Sequence, residues 1–138
     1  MRGIDSNIIV YALNKDLPEH LDCKNLLKKI GNGEETVSIP AIVFMECYHA
    51  LVKAYKFNEL KVKKRLLTII DSENISILDI STSTILLAFE IAEAYKTGGR
   101  DSLIAASLLE NNIKEIYSHD TDFDDITRIK RIDPITEK

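Results

Sequence analysis

Asp5, Glu46, Asp101 and Asp120 are carboxylates that stand just past strand patterns or in and at the start of helical ones. Asp5 follows the short apolar start at residues 1–4 and precedes a helical pattern carried by Ile8, Ile9, Tyr11, Ala12 and Leu13. A carboxylate where a strand gives way to a helix stands at the C-terminal edge of a sheet, where open α/β folds place ligands. Aspartate is equally an ordinary helix N-cap, so Asp5 by itself leaves both readings open. Glu46 says more. It lies in residues 41–48, a helical run otherwise apolar all the way round. A helix of that kind is largely buried, and an isolated buried carboxylate is costly unless it is paired or bound to a metal. The plainer alternative is a glutamate that reaches solvent at the helix edge.

Asp101 follows Gly98, Gly99 and Arg100 and begins the pattern Ser102, Leu103, Ile104, Ala105, Ala106. An N-cap is again the plain alternative, although position 104 carries no Glu or Gln to complete a capping box. Asp120 and Asp122 stand in the acidic stretch 118–125, directly after a strand pattern. The spacing of Asp120, Asp122 and Asp124 imitates the start of an EF-hand loop. That loop needs Gly where Asp125 stands and Glu where Arg131 stands, so calcium binding of that type is excluded.

Carboxylates that converge on one crevice repel one another, and some take up protons unless a cation neutralises them. All-oxygen sites suit Mg2+ or Mn2+, which accept a few protein carboxylates together with water and substrate phosphate. Two such ions roughly 3.5–4 Å apart are a recurrent device for phosphodiester cleavage. Arg100 beside Asp101 matches phosphate oxygens with its fork. Residues 61–65, rich in lysine, suit either a nucleic-acid backbone or a solvated helix face. His20, His49 and His119 are too scattered for a metal site, with His49 one turn beyond Glu46.

The elements that must position these groups read as alternating strands and helices. Strand patterns occupy residues 1–4, 36–39, 75–80, 115–118 and 129–132. Helical patterns occupy residues 8–13, 19–30, 59–71, 81–96 and 101–110, and a further helix opens at Pro40 in its first turn. Short strands separated by helices imply an α/β fold with a parallel sheet covered on both faces.

A chain of 138 residues, 45% hydrophobic and 29% charged, fits one globular domain. The net charge of −4 argues against broad electrostatic capture of nucleic acid, which uses a basic surface. No apolar run reaches membrane-spanning length, and the start lacks the order of a secretory leader. Cys23 and Cys47 sit in apolar helical patterns, as free thiols of a reducing cytoplasm do.

Four stretches together resemble the PIN-domain nucleases in that family's order: Asp5-Ser6-Asn7, Ser38-Ile39-Pro40 with Glu46, Asp101 to Ala106, and Ser118 to Phe123. The resemblance covers the whole chain, 1–138, as a single PIN-like domain, and is strongest to VapC-type toxins. It implies a three-layer α/β/α fold around a short-stranded, mainly parallel sheet. It further implies a ribonuclease that depends on Mg2+ or Mn2+ held by Asp5, Glu46, Asp101 and Asp120. Asn7 and Ser118 would orient the carboxylates, Asp122 would be an accessory acid and Arg100 a substrate contact. RNA would be the substrate, with a homodimer and a cognate antitoxin protein as expected partners, in the cytoplasm and with no membrane association. The helices of residues 19–71 offer apolar surface for the dimer, and an antitoxin would place a basic side chain in the acidic crevice. The chain departs from the family in its very short first strand, which contains Gly3. Two alternatives are a PIN nuclease of RNA processing without a toxin role and a PIN-like binding module that no longer cleaves. A haloacid-dehalogenase phosphatase is disfavoured because Asn7 stands where that chemistry needs a second aspartate.

Overall fold

A computed structural model describes residues 1–135. The chain runs β1 (Arg2–Ile4), α1 (Ser6–Leu13), α2 (His20–Gly31), β2 (Val37–Pro40), α3 (Ala41–His49), α4 (Glu59–Ile70), β3 (Ile75–Leu78), α5 (Thr82–Tyr95), α6 (Gly99–Leu109), β4 (Glu115–Tyr117) and β5 (Lys130–Ile132). A π-helical turn (Ala50–Ala54) prolongs α3, and a 3-10 turn (Thr121–Asp125) follows β4.

All five strands pair in parallel in the order β3-β2-β1-β4-β5. The chain therefore moves outward from β1 through β2 to β3, then returns to the other side of β1 with β4. The C-terminal ends of β1 and β4 form the switch point of the sheet, where the flanking connections diverge and leave a crevice. Asp5 follows β1 there, and Ser118 follows β4. The backbone N–H of Asp5 donates to the Tyr117 carbonyl at 3.0 Å, so the two strand ends are tied together at that point.

The strands are only three or four residues long, yet β2 is buried along its whole length and Ile4, Ile39 and Ile116 are fully buried. A parallel sheet covered by helices on both faces needs that apolar content. The core continues through Ile8 and Ile9 of α1, Ile30 of α2, Val43 and Cys47 of α3, and Ile104, Ala105 and Leu108 of α6.

Three local expectations are corrected. Pro40 ends β2 and caps α3, which begins at Ala41, so it stands one residue outside the first helical turn. Helix α6 begins at Gly99 with Gly98 as its cap, which places Asp101 inside the first turn and removes the simple N-cap role. Helix α3 is not buried all round, because Met45 is 65% exposed on the face away from the sheet.

Gly3 explains the unusual first strand. A Cβ at this position would stand 2.5 Å from Cδ2 and 2.7 Å from Cδ1 of Leu108, a fully buried side chain of α6. The central strand thus lets α6 lie against it more closely than any larger residue would allow, and α6 is the helix that carries Asp101. Gly3→Ala should lower stability by about 1–3 kcal/mol, the usual cost of overpacking a core. Denaturant unfolding should also show that adding Leu108→Ala costs less in the Gly3→Ala background than in the wild type.

Candidate metal centre

Asp5 is fully buried, and polar groups of neighbouring elements answer its carboxylate. Its Oδ1 accepts the Ser6 N–H at 2.7 Å, the cap of α1, and an Arg100 Nη2 hydrogen at 3.2 Å. Its Oδ2 accepts the Ser118 hydroxyl at 2.8 Å. The cap reading of this residue is therefore met, and the same side chain also meets Arg100 and Ser118. Burial pushes the Asp5 carboxyl above the usual range, while the Ser118 hydrogen bond and the Arg100 charge pull it back.

Arg100, in the first turn of α6, reaches into the same crevice with all three guanidinium nitrogens. Nε pairs with Glu46 Oε2, Nη1 with Asp101 Oδ1 and Nη2 with Asp5 Oδ1, and Nη2 also donates to the Ser6 hydroxyl at 3.1 Å. Burial disfavours the Arg100 cation, but the attraction of Asp5, Glu46 and Asp101 outweighs it and raises its pKa. Glu46 is drawn toward Asp5 by this contact. Its Oε2 is engaged by Arg100, whereas its Oε1 is buried without a hydrogen-bond partner. Burial raises the Glu46 pKa as well, with the Asp5 charge adding to it.

Asp120 and Asp122 approach from the 3-10 turn after β4. The Ser118 hydroxyl accepts the Asp120 N–H at 3.0 Å while donating to Asp5, so one serine spaces the two acids. Asp120 Oδ1 caps the turn by accepting the Asp122 N–H at 2.9 Å. The whole segment is fastened from β5 by Arg131, whose Nε and Nη2 reach the two oxygens of Asp124 at 3.0 and 3.2 Å. His119 is held by Asp133 at 2.7 Å through Nδ1, and its N–H donates to Asn7 Oδ1 at 3.4 Å.

Among the described residues, Asp101, Asp120 and Asp122 form a group in which one oxygen of each lies within 4.8 Å of the others. Hard carboxylate oxygens at that spacing fit a small divalent cation such as Mg2+ or Mn2+. The charge state agrees: burial, together with Asp120, Asp5 and Asp122, pushes Asp101 up to about 6 although Arg100 pulls it down. Crowding of this kind is what a bound cation relieves.

The expected set is therefore brought to one crevice, but in two halves that share Asp101. Asp5 and Glu46 belong to the half gripped by Arg100, and Asp120 belongs to the other. Asp122, expected as an accessory acid, is one of the three carboxylates of the compact group. Ser118 donates to the Asp5 carboxylate and accepts the Asp120 backbone N–H, whereas Asn7 accepts the His119 backbone N–H and, among the described residues, holds no acid. His49 is exposed on α3. Ser6, Arg131 and Asp133 went unassigned in the sequence. Ser6 stood inside the Asp5-Ser6-Asn7 stretch and was the one with a signal; Arg131 pairs across six intervening residues, which no local pattern reveals.

The lysine-rich stretch divides in the fold. Lys61 and Arg65 line a groove of about 580 Å³ with Lys15, His20 and Lys24, while Lys63 and Lys64 face outward.

A model of the PIN domain matches residues 4–129. A VapC ribonuclease of Mycobacterium bovis is 27% identical over 131 residues, covering 94% of this chain and 97% of that protein. Ribonuclease VapC43 of Mycobacterium tuberculosis is 32% identical over 59 residues, covering 43% of this chain and 40% of its own length. Among solved structures, VapC20 of Mycobacterium tuberculosis, a Sarcin-Ricin loop cleaving toxin, superposes with a TM-score of 0.75 at 16% identity, covering 90% of this chain and 93% of that one. VapBC2 from Rickettsia felis, bound to a DNA fragment from its promoter, gives 0.71 at 20% identity over 96% and 97% of the two chains.

The raised Asp101 pKa has a definite sign in stability. A carboxyl that titrates near 6 folded and at 3.8 unfolded binds protons more tightly in the folded state. Its contribution is present in full below pH 3.8 and is lost as the pH rises through about 6. In metal-free buffer the wild type should therefore lose on the order of 2–3 kcal/mol relative to Asp101→Asn between pH 4 and pH 7. Denaturant unfolding of both proteins in the presence of a chelator at fixed ionic strength measures that difference.

Proposed function

The chain belongs to the PIN domain family, and on that premise we propose that it is a divalent-metal-dependent endoribonuclease, the toxin of a toxin–antitoxin pair. The observation that carries this reading is the Asp101, Asp120 and Asp122 group beside fully buried Asp5 at the switch point of the sheet. The similarity to VapC ribonucleases along nearly the whole chain supports the substrate class and the toxin role. The whole of residues 1–138 is read as one nuclease domain.

Asp101, Asp120 and Asp122 would hold an ion directly, with Asp5 and Glu46 available to a second one. Bound Mg2+ or Mn2+ supplies an acidified water and charge stabilisation at the phosphodiester. The chain's own residues set the geometry for that chemistry. Ser118 fixes Asp5 and the Asp120 turn at one spacing, and Arg131 keeps the turn from swinging away from α6. Asp5, fully buried, keeps its carboxylate turned to Arg100 and Ser118. Arg100, 42% exposed at its side chain, has the donors to take a phosphate oxygen of bound RNA.

The expected partners are RNA, a cognate antitoxin and a second copy of the chain. Exposed apolar side chains for self-association lie on α5, where Leu86 and Phe89 are 59% and 64% exposed, as well as on α4 at Leu60 and Leu67. Both free cysteines are buried, in keeping with a cytoplasmic protein, and among the described residues no helix is long and apolar enough to cross a membrane.

Expression of the wild type in a bacterial host should arrest growth and yield discrete RNA fragments, whereas Asp5→Asn should leave growth and RNA intact. With purified protein, Asp5→Asn and Asp101→Asn should slow Mn2+-supported RNA cleavage by at least about a hundredfold, the scale of losing one charge-stabilising group. Variants that cleave as fast as the wild type would remove the assignment. Phe89→Glu should shift the chain toward monomer in analytical ultracentrifugation.

A further inference from the structure

The crevice contains a cation of its own. Arg100 meets Asp5, Glu46 and Asp101 with a separate nitrogen for each, and uses its remaining reach on the Ser6 hydroxyl. Gathering three carboxylates of different elements around one positive centre is what a bound metal ion does. Among the described residues, Arg100 is the one cation paired to any of these three acids. In the other half, Asp101, Asp120 and Asp122, the only side-chain cation at ion-pair distance among the described residues is Arg100 itself, through shared Asp101.

We propose that the Arg100 guanidinium substitutes for a cation in the Asp5–Glu46–Asp101 half of the crevice, so that this half accepts a divalent ion only when Arg100 withdraws, while the Asp101–Asp120–Asp122 half accepts one with Arg100 in place. The inference rests on the metal-dependent reading of the same site and adds its regulation.

One feature makes the arrangement a gate rather than a permanent pair: the side chain is 42% exposed, so it can leave the crevice toward solvent without opening the core. While Arg100 is in place, Glu46 Oε2, Asp5 Oδ1 and Asp101 Oδ1 all accept from it, which engages an oxygen of every acid in this half but of only one of the three acids in the other. An ion arriving there faces a guanidinium at hydrogen-bond distance from the very oxygens it needs, and like charges at that range repel. A phosphate offers Arg100 a bidentate alternative. RNA that draws Arg100 away from the carboxylates therefore frees the second half of the crevice, which couples full metal loading to the presence of substrate.

The test is a Mn2+ titration of the purified full chain without RNA, following free Mn2+ by electron paramagnetic resonance, for the wild type, Arg100→Ala and Arg100→Lys. The wild type should bind one ion, with a second at least about tenfold weaker. Arg100→Ala should bind two ions of similar affinity, and Arg100→Lys, which keeps the charge without the fork, should fall between them. An unchanged number and affinity of ions in Arg100→Ala would overturn the gate while leaving the metal site standing. No Mn2+ bound by either protein would overturn the metal-dependent reading and the gate with it. Should Arg100→Ala fail to fold, the wild type still decides the matter through the Arg100 Nε–H signal in nuclear magnetic resonance, assigned with Arg100→Lys, during a Mg2+ titration. The signal should hold through the first equivalent and move only in the weaker phase; movement with the first equivalent would overturn the proposal.

Discussion

A fully buried carboxylate at the end of the central strand is the constraint around which the rest is arranged. Asp5 has no access to solvent, so its charge must be answered by neighbours or given up to a proton. The answers come from every direction the fold allows: the first turn of α1, the serine after β4 and the arginine of α6. Each of those donors belongs to a different element, so the elements cannot shift independently without stripping Asp5 of a partner. The site and the packing of the switch point are one structure.

Negative charge accumulates around that point faster than the protein neutralises it. Asp5, Glu46, Asp101, Asp120 and Asp122 face one region, and Arg100 is a single positive charge among them. The surplus shows in Asp101, raised to about 6 by burial and by the acids around it. Crowding that raises a carboxyl pKa also favours the binding of a cation over a proton.

The fold was legible in the chain to the extent that it depends on local pattern. All five strands and the helices around them follow from where apolar residues alternate or recur, and the parallel sheet follows from strand–helix alternation. What failed was local detail decided by neighbours. Pro40 serves the end of β2 and only caps α3, because its strand position opposite Leu78 in β3 prevails. Met45 is exposed because α3 turns one flank outward, a fact of placement that its own apolar sequence contradicts. Gly3 read as a weakness of the first strand until Leu108 of α6 supplied its reason.

The sequence by itself determined which acids stand at the ends of which elements, since a residue's place after a strand or in a helix is set by its immediate neighbours. That was enough to assemble Asp5, Glu46, Asp101 and Asp120 into one family pattern. The tertiary structure alone decided how they divide: Asp122 joins Asp101 and Asp120, while Asp5 and Glu46 are claimed by Arg100. Such pairings join residues up to 95 positions apart, and their choice turns on differences of a few ångströms in charge-to-charge distance. Coulomb energy in a half-buried crevice changes steeply over that range, and spacing along a chain carries no record of it.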